Sequence, residues 1–169
     1  DETTWKPINE QPVRGGASYR FDTASLPDGD YRVRVVVSDL PSNPPDMAMK
    51  AELISDAFTV DNSPPAIESL SAKREATKPG EPARFRIEAA VRDSASIIAS
   101  AKYSVDGGEW RLAFPTDQIF DSTSERFSIA LEIEEPGEHS VALMAVDRGG
   151  NTTIRKLVVR IKGPAPKAE

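Results

Sequence analysis

The sequence predicts an all-β chain of two antiparallel β-sandwiches in tandem, the first truncated on its N-terminal side. Three observations predict it. Apolar residues recur with a period of two, the mark of strands with one face on a core and the other in water. Clusters of Pro, Asp, Gly and Asn interrupt those runs at short spacing, as in sandwich folds. The later part of the chain also repeats the residue order of the earlier part.

In chain order, Pro27-Asp28-Gly29 turns into a first strand. There Tyr31, Val33, Val35 and Val37 alternate with Arg32, Arg34, Val36 and Ser38. A strand over 51–60 follows, then strands near 66–72 and 83–93. In the last of these Phe85, Ile87, Ala89 and Val91 alternate with Arg86, Glu88 and Ala90. Asp106-Gly107-Gly108 reads as a hairpin turn ahead of Trp110. Phe127, Ile129, Leu131 and Ile133 alternate with Ser128, Ala130 and Glu132, up to the turn at Pro136-Gly137. The run from His139 to Asp147 ends at Arg148-Gly149-Gly150-Asn151, and Leu157, Val159 and Ile161 mark the final strand.

The repeat pairs Trp5, Ser18–Phe21 and Tyr31–Asp39 with Trp110, Ser124–Phe127 and His139–Asp147. The offset grows from 105 residues at the Trp to 108 at the Asp, which loop-length changes explain. A period near 100 residues is one sandwich domain. The expected division is a partial sandwich over 1–62, a Pro-rich linker over 63–66, a complete sandwich over 67–163 and a disordered tail over 164–169. Two strands precede Trp110 in the second copy, whereas four residues precede Trp5 in the first. The chain therefore reads as a fragment that begins inside a domain, with any signal peptide upstream. A sandwich without its opening strands exposes core side chains and unpaired backbone. The partial domain is expected to pack on the second domain or to pair with another copy across its open edge.

Composition narrows the chemistry. Among 169 residues there is no cysteine, which excludes disulfides, thiolate metal sites and cysteine nucleophiles. A single histidine excludes a multi-His metal centre. The net charge of −6 argues against nucleic acid and anionic membrane as partners. No apolar run approaches the roughly 18 residues of a membrane helix.

Candidate sites are few. His139 stands where Tyr31 stands in the first copy and reads as a hydrogen-bonded corner residue. Glu134-Glu135 before Pro136-Gly137 reads as a solvated turn, so no catalytic residue is assigned and no enzyme activity is expected. Trp5 and Trp110 hold equivalent places; rim or core packing is the favoured role, with stacking on a sugar ring as the ligand-contact alternative. At Val60-Asp61-Asn62-Ser63-Pro64-Pro65, Asp61 and Asn62 are expected to cap the strand end. No cofactor or metal is assigned. The alternative weighed is Ca2+ at this linker, where the joint is loosely similar to those of cadherins and Asp147 is a remote further candidate. Calcium needs about six to eight oxygens from several segments, and no further acidic cluster stands at fitting positions in sequence. The long loop Leu40–Met49 is expected to pack over the seam between domains, with partner binding as the alternative.

Ser25-Leu-Pro-Asp-Gly-Asp-Tyr-Arg-Val-Arg-Val-Val-Val-Ser-Asp39 resembles the corner between the fifth and sixth strands of fibronectin type III domains, with Tyr31 as the corner tyrosine. His139 departs from that pattern. Val60–Pro65, Tyr103–Trp110 and Ala145–Asn151 resemble bacterial immunoglobulin-like and fibronectin-like tandem modules. The resemblance implies a structural spacer or protein-interaction module in a larger secreted or periplasmic bacterial protein. Its implied partners are the other domains of that protein. The alternative function is a carbohydrate-binding module using an exposed Trp.

Overall fold

The computed structural model describes residues 4–13, 18–78 and 80–162. The expected tail at 164–169 lies outside them. Every named element is a strand: β1 (Gly29–Tyr31), β2 (Arg34–Ser38), β3 (Lys50–Ile54), β4 (Phe58–Val60), β5 (Ala66–Arg74), β6 (Ala83–Arg92), β7 (Ile98–Val105), β8 (Arg111–Ala113), β9 (Ser124–Ile133), β10 (Gly137–Asp147) and β11 (Thr152–Ile161). All pairings are antiparallel. No helix of the described residues is long and apolar enough to cross a membrane.

Strands β5 to β11 form two sheets, one ordered β5-β6-β9 and the other β11-β10-β7-β8. Alternation decides which side chains meet. On β6 and β9, Phe85, Ile87, Ala89, Val91, Phe127, Ile129, Leu131 and Ile133 are buried, and the residues between them point outward. On β10, Val141, Leu143 and Ala145 are buried in the same cluster as Ile98 and Ala101 of β7. Phe127 is among the largest fully buried side chains and meets Phe120 at a centroid distance of 6.3 Å. The β7–β8 turn has positive φ at both Asp106 (51°) and Gly107 (71°), the type I′ geometry that matches the twist of a tight hairpin.

Strands β1 to β4 form two separate two-stranded sheets, β1-β4 and β2-β3. Gly29 pairs with Val60 and Arg34 with Ile54, so one long hairpin is split at Arg32-Val33. The cause is local: Ser55 N–H donates to Val33 O at 2.8 Å while its Oγ accepts from Val33 N–H at 2.9 Å. The single strand expected over 51–60 is therefore β3 and β4. No residue of β2 or β3 is buried, and the hydrophobic core cluster runs only from Ile67 to Val159. Among the described residues, β2 and β3 are not covered by the later sheets, which was one of the two covers expected for the partial domain.

The loop 40–49 differs from expectation too. Met47 and Met49 are 70% and 74% exposed rather than packed over a seam. The loop closes on itself instead: Asp39 O accepts from Ser42 and Asn43 N–H, and Pro44 O accepts from Met47 N–H.

Candidate functional site

The joint between β4 and β5 is where backbone polar groups, carboxylates and two close turns converge. Two prolines follow Ser63, and Pro65 is fully buried. Asn62 faces backward along the chain. Its Nδ2 donates to Thr23 O (3.0 Å) and Leu26 O (2.8 Å), and its backbone N–H donates to Asp28 Oδ1 (2.7 Å). Hydrogen bonds from the Ser63 side chain and then the Asn62 backbone hold the Asp28 carboxyl below its ordinary pKa. Asp61 faces forward. Its carbonyl accepts from Asn151 Nδ2 at 3.0 Å, and the same amide reaches Ser63 O at 3.4 Å. Of the expected side-chain capping at the end of β4, only Asp61 Oδ1 makes a local bond, accepting the Ser63 N–H at 3.2 Å; the Asn62 side chain reaches the turn before β1 instead.

Asn151 is held by Asp147 at the end of β10, whose Oδ1 accepts its N–H (2.8 Å) and Oδ2 its Nδ2 (3.0 Å). Gly149 makes the approach possible. A Cβ there would lie 2.9 Å from both Asp61 O and Asn151 Nδ2. The loop comes so close to the linker that only glycine fits.

Asp93 completes the cluster. It follows β6, is 4% exposed, and its Oδ1 caps the turn by accepting from Ala95 (2.8 Å) and Ser96 (2.7 Å) N–H. Carboxylate oxygens of Asp61, Asp93 and Asp147 all lie within 4.8 Å of one another. Three oxygens in this neighbourhood are buried without a hydrogen-bond partner: Asp61 Oδ2, Asp93 Oδ2 and Ser96 Oγ. Two unit charges about 5 Å apart repel by about 3 kcal/mol at an effective dielectric near 20. The sequence reading named Asp61 and Asp147 but missed Asp93. Their chain separations conceal that β6, β10 and the linker end at the same point.

The histidine site has a different character. His139 is buried, with Nδ1 2.7 Å from Asp106 Oδ2 and Nε2 2.8 Å from Glu135 O. Both partners are acceptors, so both ring nitrogens donate and the imidazolium is the form that fits. The Asp106 hydrogen bond, and next the Glu135 carbonyl, raise the His139 pKa above 6.5. The same contact, and next the Ser140 N–H, lower that of Asp106. An open cleft of about 420 Å³ is lined by Tyr103, Glu109, Arg111, Glu132 and this pair. With neither ring nitrogen free, His139 is not available as a general base in this geometry.

The two tryptophans part company. Trp5 is half-buried, and the Arg34 guanidinium sits 4.6 Å from its ring centroid, a cation–π contact. Trp110 is 43% exposed, and Leu112 and Phe114 beyond it are exposed as well.

Set against known proteins, the chain matches no family model and no curated protein.

Proposed function

We propose that the chain is a non-catalytic spacer or protein-interaction module, built of tandem fibronectin III-like or immunoglobulin-like sandwiches. It would belong to a larger extracytoplasmic bacterial protein and contact that protein's other domains. The observation that carries this reading is the joint. Asn62 is bonded to the turn before β1 and Asp61 to the loop after β10, so the linker is tied to both flanking units. A stiff joint fixes spacing and orientation, which is what a spacer requires.

Three parallels support the tandem reading. Tyr31 Oη donates to Pro27 O at 2.8 Å, and His139 Nε2 bonds Glu135 O at 2.8 Å, each four residues upstream. Asp39 and Asp147 each accept a backbone N–H through Oδ1, from Met49 (2.6 Å) and from Asn151 (2.8 Å). Each also donates its own N–H to the carbonyl of that same residue. Within β5 to β11 the fourth strand pairs with the third rather than the fifth. This departs from the immunoglobulin constant order and favours the fibronectin-like reading.

The test exploits the absence of cysteine, which makes introduced thiols unique labelling sites. Spin labels at Met49→Cys and Val158→Cys, both at exposed positions, report the distance across the joint. A narrow distribution that broadens on Asn62→Ala is expected. A broad distribution in the parent background would overturn the spacer reading.

The exposed edge strand favours one second reading. Trp110, Leu112 and Phe114 alternate along β8 and its continuation, a row on which a sugar ring can stack. Trp5 offers less, because it is half-buried and Arg34 occupies one face of its ring.

A further inference from the structure

Asp61, Asp93 and Asp147 form a group that the spacer reading does not use. They come from three segments: the linker, the turn after β6 and the end of β10. Among the described residues no ion pair to a Lys or Arg is made by any of the three. Asp93 and Asp147 are 4% and 2% exposed. Burying carboxylates together without a cation is strongly unfavourable.

The hydrogen bonds show where the uncompensated charge points. Backbone amides take Oδ1 of Asp61 (Ser63 N–H) and Oδ1 of Asp93 (Ala95 and Ser96 N–H), orienting each carboxylate. Oδ2 of both is left buried and unpartnered, and the Ser96 hydroxyl in the same turn is unpartnered too. The Asp147 carboxylate is fixed in place by Asn151.

We infer that this cluster is a divalent cation site, and that the cation is calcium. Two oxygens on one Ca2+ at about 2.4 Å lie at most about 4.8 Å apart. The observed oxygens meet that limit. All donors are hard oxygens, with no imidazole or thiolate, which disfavours zinc and other transition metals. Ligands drawn from three separate segments suit the flexible shell of calcium better than that of magnesium, which demands near-ideal octahedral geometry. The unpartnered Ser96 Oγ, in the turn that Asp93 Oδ1 caps, is the candidate fourth donor, with water completing the shell. Because Asp61 lies in the linker, bound calcium would lock the joint to the ends of β6 and β10.

The experiment is calorimetric titration of CaCl2 into the full chain after chelator treatment, with thermal melts in chelator and in millimolar CaCl2. One Ca2+ per chain is expected, with a melting midpoint at least about 4 °C higher in calcium. Asp93→Asn keeps the Oδ1 acceptor for its turn but removes the charge, so affinity should fall at least about tenfold. In chelator this variant should melt no lower than the parent, since it relieves repulsion. Asp61→Asn, in the linker and outside the core, provides the same comparison should Asp93→Asn not fold. Absence of binding heat together with an unchanged midpoint would overturn the site. So would equal affinity in the parent and both variants. Neither result touches the spacer reading, which rests on the Asn62 and Asn151 hydrogen bonds.

Discussion

His139 and Tyr31 solve one problem with different chemistry. Each ties its strand to a carbonyl four residues back. Tyrosine does so with a neutral hydroxyl. Histidine must keep a second proton, which Asp106 secures at 2.7 Å. The signs of the linkage follow. With its pKa raised in the fold, His139 contributes stability that is fully present below 6.5 and fades as pH rises through the raised value. The lowered pKa of Asp106 gives a contribution present above 3.8 and lost as pH falls through the lowered value. His139 is the only histidine and cysteine is absent, so few other groups titrate in the upper window. The urea midpoint of the parent should therefore fall as pH rises above 6.5, and Asp106→Asn should flatten that slope. Identical slopes in both proteins would show that the pair carries no pH-dependent stability. The sequence placed His139 at a corner, but its partner Asp106 lies on another hairpin and was not legible.

At the scale of elements, β8 is short and forms the edge of its sheet. Its inward residue Ala113 is buried, which turns Leu112 and its flanking aromatics outward. Edge strands with an exposed apolar row are usually protected by charge or pairing. Here Arg111 pairs with Tyr103 and the outer row stays open. A bound sugar ring would shift Trp110 fluorescence, and stacking on one ring is worth about 1 kcal/mol. Titration with soluble polysaccharides should quench or shift emission in the parent and not in Trp110→Phe if the row binds glycans. No shift with any of them would leave the row as surface packing alone. The period-two pattern made β6, β9 and β11 legible in advance, and the turn chemistry placed the hairpin of β7 and β8. It did not reveal the break at Arg32-Val33, because Ser55 produces it from across the hairpin.

At the scale of the whole molecule, the contrast is between β10–β11 and β2–β3. Val33, Val35 and Val37 stand 108 residues before Val141, Leu143 and Ala145. The later three are buried in the core, while Val35 and Val37 are exposed beside Ala51 and Leu53. This apolar face has no covering sheet among the described residues. A second copy of the chain joined through the open β2–β3 sheet is the partner we expect, since a paired sheet buries both faces together. Light scattering should give twice the 18.4 kDa of one chain, and Val35→Lys should return the mass to that of one chain. A monomer at all concentrations would exclude self-association as the cover.

The sequence by itself determined the all-β class, most of the strands and the turns, because alternation and turn chemistry are local and act within a few residues. Only the tertiary structure decided which carboxylates meet. Asp93 and Asp147 lie 54 residues apart and are brought together because β6 and β10 end beside the same linker. It likewise decided which apolar faces are covered, since burial depends on the sheet opposite and not on the strand's own pattern.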